Sequence, residues 1–177
     1  EFSKTSYTSR KLEAINLNQV VAEVASDLEP RITQTNAALH IGKLPTLEAD
    51  KLQMTQLFQN LIGNALKFHK KDQPPCVYIN SQLIERWGWE ITVRDEGIGF
   101  EMKYRNRILL PFQRLHSRGQ YEGTGLGLAI CQKIVESHGG KLTAESSPGH
   151  GAVFTVALPK KPLTEQTESE PEREITT

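Results

Sequence analysis

Gly123-Thr124-Gly125-Leu126-Gly127-Leu128, the stretch GTGLGL, sets three glycines on alternate positions and runs directly into AICQKIVESHGG. The residues that follow repeat apolar side chains at helical spacing and stop at Gly139-Gly140, so the spacing predicts a helix from Gly125 to His138. Glycine at a helix start costs stability. What it gives in return is a bare backbone, whose unpaired N–H groups and helix dipole favour an anion. Two familiar phosphate loops are excluded by spacing. The stretch is not G-x-x-x-x-G-K-[ST], and it reads G-x-G-x-G after a loop rather than G-x-G-x-x-G after a strand. A glycine cluster at a helix start can also serve packing alone.

Working outward, a polar irregular segment precedes the glycines from 101 to 122, broken by an apolar patch at Ile108–Phe112. Two strands lie before it, CVYINSQLI and WEITVRD, joined around Arg86–Gly88. Further upstream Asp50 caps a long helix running to about His69, which Pro74-Pro75 closes off. Residues 18–35 read as an amphipathic helix bent at Pro30, followed by short alternating runs at Leu39–Ile41 and Thr46–Ala49. Downstream, KLTAESS and GAVFTVALP form a hairpin turned by Pro148-Gly149-His150-Gly151. Paired strands with helices between them predict an α+β fold, a two-layer sandwich with a mixed sheet. Residues 1–14 read as a remnant or linker, 15–159 as the domain, and 160–177 as a disordered acidic tail. The abrupt start reads as that of a piece cut from a longer protein, with no weight placed on Glu1-Phe2.

Composition limits the function classes. The chain has 177 residues, 37% hydrophobic and 24% charged, enough for one sizeable core. Lys+Arg and Asp+Glu balance at 21 each, so no overall field draws nucleic acid or an anionic membrane. No apolar run is long enough to span a bilayer, and no signal peptide opens the chain. Cys76 and Cys131 lack metal spacing and sit among apolar residues. They read as buried thiols in a reducing, cytoplasmic compartment.

Two further groups of residues carry chemistry. On the long helix Gln56, Asn60, Asn64 and Lys67 fall within an arc of about 80°, beside a wide apolar surface. Such an arc is ordinarily a solvated face, but asparagine is a poor helix former there. Amide oxygens are neutral hard ligands suited to Mg²⁺, and Lys67 can add a point charge beside phosphate. In WEITVRDEGIGF, Trp89, Ile91, Val93 and Asp95 share one strand face, so a carboxylate ends an apolar row. A buried carboxylate needs donors, and an adenine amino group is one. Gly97 and Gly99 would let a flat base approach; an Asp-Glu-Gly turn is the plainer alternative.

Taken in order, NLIGNALKF, DEGIGF, PFQRL and GTGLGLAI resemble the N, G1, F and G2 boxes of the catalytic ATP-binding domain of sensor histidine kinases. That domain belongs to the wider GHKL superfamily of gyrase, Hsp90 and MutL. The resemblance covers roughly 15–159. It implies a Bergerat-type fold, a mixed sheet of about five strands packed on three helices, with ATP between the helices under a mobile lid from about Gln113 to Glu122. It further implies that Asp95, with Gly97 and Gly99, binds adenine; that Asn60 and Asn64 ligate Mg²⁺; that Lys67 and Arg114 contact phosphates; and that Gly123, Thr124, Gly125, Leu126 and Gly127 line the triphosphate. Hydrolytic relatives carry a water-activating Glu where Asn60 stands, and many kinases carry Tyr where Phe68 stands. None of His40, His69, His116, His138 or His150 lies in a phosphoacceptor context; His138 reads as a C-cap or packing residue, and His69 and His116 lie near the expected phosphates but read as solvent-exposed. The acceptor is therefore expected on a separate dimerisation and histidine-phosphotransfer domain of the same protein, with a response regulator downstream. The fragment is expected to be monomeric and the full-length kinase a homodimer. A non-catalytic nucleotide-sensing module and a GHKL-type ATPase remain alternatives.

Overall fold

The computed structural model describes residues 11–117 and 119–161. Most of the expected leading linker and nearly all of the expected tail lie outside these residues. The elements run β1 (Leu12–Asn16), α1 (Leu17–Asp27), α2 (Glu29–Thr35), β2 (Ala38–Ile41), β3 (Thr46–Asp50), α3 (Lys51–Lys67), β4 (Cys76–Ile84), β5 (Gly88–Asp95), α4 (Gly127–Ser137), β6 (Lys141–Ser146) and β7 (Ala152–Pro159). Single 3₁₀ turns stand at Met102–Tyr104 and Arg107–Leu109.

The main sheet has the order β2-β4-β5-β7-β6, with β2 and β4 parallel and the other neighbours antiparallel. Strict alternation decides its faces. Val77 and Ile79, Ile91 and Val93, Leu142 and Ala144, and Phe154 and Val156 all point inward and are buried. α3 and α4 pack on that face, and α1 packs on α3. On the outer face His40 stacks on Tyr78 at 4.8 Å between ring centroids, and the Arg94 guanidinium lies 4.5 Å from the Tyr78 centroid. α3 buries Met54, Leu57, Phe58, Leu61, Ile62, Ala65 and Leu66 along one side, each large side chain contributing about 1.5–3 kcal/mol.

Local chemistry explains where the elements differ from the sequence reading. The helix expected over 18–35 is two helices meeting at Leu28. Pro30 has no N–H to return to Ser26, so the first helix cannot continue through it. β1 pairs antiparallel with β3, so the boundary expected after residue 14 falls inside a strand. Only Ile15 of β1 is fully buried, too little alternation to announce a strand. α4 begins at Gly127, not Gly125, because Gly125 has φ +76° and stands outside helical geometry. Cys131 is buried as expected, but Cys76, at the start of β4, is only partly covered. The apolar patch at 108–112 splits: Ile108 enters the core, while Leu110 and Phe112 are exposed.

Candidate functional site

α3 and α4 lie side by side and run antiparallel, and four contacts link them. Buried His138, the C-cap of α4, accepts the Asp50 N–H on Nε2 at 3.1 Å; its Nδ1 therefore carries the proton and donates to the Ile134 carbonyl at 2.8 Å. Asp50 in turn caps α3 by accepting from Gln53 N–H. Ser137 Oγ donates to Gln53 Oε1, and Cys131 Sγ donates to the Leu57 carbonyl at 3.7 Å. At the last rung a Cβ on Gly127 would lie 3.2 Å from Asn60 Oδ1, so the bare backbone of the α4 N-terminus rests on the Asn60 amide. His138 is thus a cap, as its position before Gly139-Gly140 indicates.

That last rung opens onto a cavity of about 270 Å³. Asn60, Asn64, Lys67, Asp95, Gly99, Arg114, Gly123, Thr124, Gly125 and Gly127 all line it, drawn together from four separated segments. Gly97 and Leu126 do not line it. Gly97 instead donates its N–H to Asp95 Oδ1 at 2.9 Å, and Leu126 N–H donates to Thr124 Oγ1. Neither Gly97 nor Gly99 is glycine chiefly for a base. A Cβ on Gly97 would meet the Phe68 carbonyl at 2.2 Å, and one on Gly99 the Ser147 carbonyl at 2.2 Å, so the protein's own backbone occupies that space.

Asp95 ends the inward row of β5 as the alternation requires. Its Oδ1 also accepts the Ala152 N–H at 3.3 Å. Gly151, at φ +72°, makes this possible, since its Cα approaches too near the Asp95 carbonyl for any Cβ. Among the described residues no donor reaches Asp95 Oδ2. Burial pushes the carboxyl above its ordinary value, with the Gly97 and Ala152 N–H groups pulling it partway back.

Lys67 and Arg114 enter the same cavity. Lys67 Nζ donates to the Glu122 carbonyl at 3.0 Å and sits 4.5 Å from the Phe68 ring centroid. Arg114 donates to the carbonyls of Tyr121 and Gly123. Among the described residues neither cation pairs with a carboxylate. Burial, then the Arg114 and Arg31 charges, lower the Lys67 ammonium below its usual range. The carbonyl oxygens of Tyr121, Glu122 and Gly123 are thereby held at the cavity by its two cations.

Some lining residues escaped the sequence reading. His116 and Tyr121 form a cluster with Phe68, with centroid separations of 5.8, 4.9 and 5.1 Å. His116 is therefore ring-packed rather than simply exposed. His69 is half-buried, its Nδ1 2.8 Å from the Lys70 carbonyl oxygen. Phe154 and Ala152 reach the site because β7 pairs with β5; their inward alternation was readable, but their neighbour was not.

The donor set suits a magnesium nucleotide. Two amide side chains in one wall leave most of a cation's charge for phosphate oxygens, an unpartnered carboxylate oxygen awaits an amine, and two uncompensated cations await an anion. No cluster of three His, Cys, Asp or Glu side chains stands together among the described residues.

Comparison with known proteins agrees with this fold. The phytochrome-like protein Cph1 of Synechocystis is 39% identical over 158 residues, covering 89% of this chain and 21% of that protein. The chain thus spans about a fifth of that relative's length. The structure of full-length ShkA in complex with AMPPNP superposes with a TM-score of 0.75 at 25% identity, covering 90% of this chain and 33% of that one. The catalytic domain of histidine kinase ThkA superposes with a TM-score of 0.71 at 28% identity, covering 85% of this chain and 96% of that one. Residues 49–162 match the model of a single family. The chain belongs to the histidine kinase-, DNA gyrase B- and HSP90-like ATPase family.

Proposed function

We propose that this chain is the ATP-binding catalytic domain of a two-component sensor histidine kinase, transferring the γ-phosphoryl group of ATP to a histidine on a separate dimerisation and phosphotransfer domain. The observation that carries the reading is the cavity's pairing of a carboxylate oxygen on Asp95 with two cations, Lys67 and Arg114, none of the three having a donor or carboxylate partner of that kind among the described residues. Asp95 Oδ2 accepts the adenine amine. Lys67, Arg114 and the N–H groups at the start of α4 hold the phosphates. Asn60 and Asn64 are the side chains that would hold Mg²⁺, which when bound neutralises phosphate charge.

The branch of the family follows from Asn60. An amide takes no proton, so it cannot activate water as a carboxylate there would. Transfer then depends on positioning and charge neutralisation, with the acceptor imidazole attacking in line with the departing ADP. The acceptor domain, a response regulator downstream, homodimerisation of the full-length protein and a cytoplasmic site of action belong to this proposal. Among the described residues no helix is long and apolar enough to cross a membrane.

The test incubates the chain with labelled ATP, Mg²⁺ and a separately prepared phosphotransfer domain. Acid-labile phosphohistidine on that domain, and negligible phosphate release without it, are expected. Steady phosphate release by the chain alone would make it an ATPase; nucleotide binding with no phosphohistidine would make it a docking module.

A further inference from the structure

Ser146 ends β6 and does not line the cavity, yet its hydroxyl joins the two loops behind Asp95. The Phe100 N–H donates to Ser146 Oγ at 2.8 Å, and Ser146 Oγ donates to the Gly151 carbonyl at 2.6 Å. These roles are forced, because a backbone N–H only donates and a carbonyl oxygen only accepts. Both loops hold the same carboxylate oxygen. Gly97, in the loop that Phe100 closes, and Ala152, the residue after Gly151, each donate an N–H to Asp95 Oδ1, at 2.9 and 3.3 Å. The Gly151 carbonyl and the Ala152 N–H belong to one peptide group, planar and trans, so they point in opposite directions. Ser146 grips one end of that plane and Asp95 takes the other. Gly151 stands at φ +72° with no side chain to limit it, so its own torsions do little to fix the plane. The hydroxyl itself is closely housed: a Cβ on Gly99 would lie 3.0 Å from Ser146 Oγ. A second tie joins the same loops, the Gly149 N–H donating to the Ile98 carbonyl at 2.7 Å, but it does not touch the Gly151–Ala152 peptide.

We propose that Ser146 is a positioning residue for adenine recognition: by donating to the Gly151 carbonyl while accepting from Phe100, it turns the Ala152 N–H onto Asp95 Oδ1 and leaves Oδ2 as the oxygen offered to the base. The terminal torsion of an aspartate is broad and twofold, so its two oxygens exchange places unless one of them is held. Two N–H groups on Oδ1 hold it; with the Gly97 N–H alone, the carboxylate pivots about a single bond. Adenine presents an amine, a donor, where guanine presents an oxygen that a carboxylate repels. The choice of base therefore depends on where Oδ2 is aimed. The inference rests on the reading of the cavity as an adenine-nucleotide site, and it adds the residue outside the cavity that sharpens the choice of base.

Two substitutions separate positioning from packing. Ser146→Ala removes the hydroxyl. Ser146→Thr keeps it as both donor and acceptor. Should the alanine variant not fold, Ser146→Cys, whose thiol is a weak donor and acceptor, takes its place. The first measurement is the affinity of the intact chain for AMPPNP and for its guanine counterpart GMPPNP, both with Mg²⁺, expressed as a ratio. The expected result is a preference for AMPPNP about tenfold smaller in the alanine variant, through weaker AMPPNP binding with GMPPNP binding unchanged, and a threonine ratio near wild type. The second is the Ala152 backbone amide signal in nitrogen–proton NMR of the nucleotide-free chain labelled on alanine nitrogen, identified by its loss in Ala152→Gly. It is expected to be protected from solvent exchange in wild type and threonine, and to exchange faster in alanine. An unchanged ratio or an unchanged Ala152 signal in the alanine variant overturns the proposal, as does threonine failing like alanine. A loss of affinity shared equally by both nucleotides also overturns it, since Ser146 would then be structural only. A wild-type chain that binds AMPPNP no more tightly than GMPPNP overturns the underlying site reading instead, whatever the NMR shows.

Discussion

Replacing Asp95 with asparagine separates recognition from folding at a single atom. Oδ1 already accepts from Gly97 and Ala152, at 2.9 and 3.3 Å, and an asparagine carbonyl can accept both. Oδ2, which no donor among the described residues reaches, becomes an N–H₂ and can no longer accept the adenine amine of the proposed function. A hydrogen bond to a charged group contributes about 1.5–3 kcal/mol, and each 1.4 kcal/mol is about tenfold in affinity. Nucleotide binding should therefore weaken about 10- to 150-fold, while stability changes by no more than about 1 kcal/mol. The pH dependence has a definite sign. Burial raises the Asp95 carboxyl above its ordinary value of 3.8, so the folded chain holds that proton more tightly than the unfolded chain. Its contribution to stability is then largest below 3.8 and declines as pH rises through the folded value. Asparagine stays neutral throughout, so the stability difference should shift toward the variant between acid and neutral pH. Titration calorimetry with AMPPNP and denaturant unfolding at several pH values measure both effects. Unchanged affinity, or a variant that no longer folds, would refute the reasoning.

Other perturbations test the remaining parts. Asn64→Ala should abolish the tightening of AMPPNP binding by Mg²⁺ while sparing binding in EDTA; calorimetry under both conditions reads this. Lys67→Met should weaken nucleotide binding about tenfold or more. Because burial depresses the Lys67 ammonium, its charge opposes folding at neutral pH, and the variant should unfold at no lower urea than wild type. His138→Ala strips partners from the Asp50 N–H and the Ile134 carbonyl and leaves a cavity. It should cost about 3 kcal/mol, read as a lower urea midpoint at constant slope.

Much of this was legible because local signals agreed. Asp50 before Lys51, the apolar side of α3 and the Gly139-Gly140 stop each had one physical reading, and the structure follows them. Asn60, Asn64 and Lys67 fell on one arc of a helix and share the cavity, whereas Gln56, one turn earlier on that arc, is exposed and lies outside it. Long-range placement was less legible. Nothing local to Ala152 says that its N–H faces Asp95; that depends on the β5–β7 register. The ring cluster of His116 and Tyr121 on Phe68 depends on how an irregular segment folds back. The reason for Gly97 was misread because the occupant of its empty side is the Phe68 carbonyl, a residue distant in sequence.

The His138–Asp50 bond sits at the far end of the helix pair from the cavity, and its leverage is considerable. α4 has 11 residues, so at about 1.5 Å each its glycine end swings on an arm of about 16 Å. A tilt of about 3° at the histidine carries the other tip sideways by about 0.8 Å, close to the misplacement of about 1 Å that can slow a reaction 100-fold. In the proposed function, a ring at the opposite end of the helix pair therefore helps set how closely the two sides of the phosphate site are aligned.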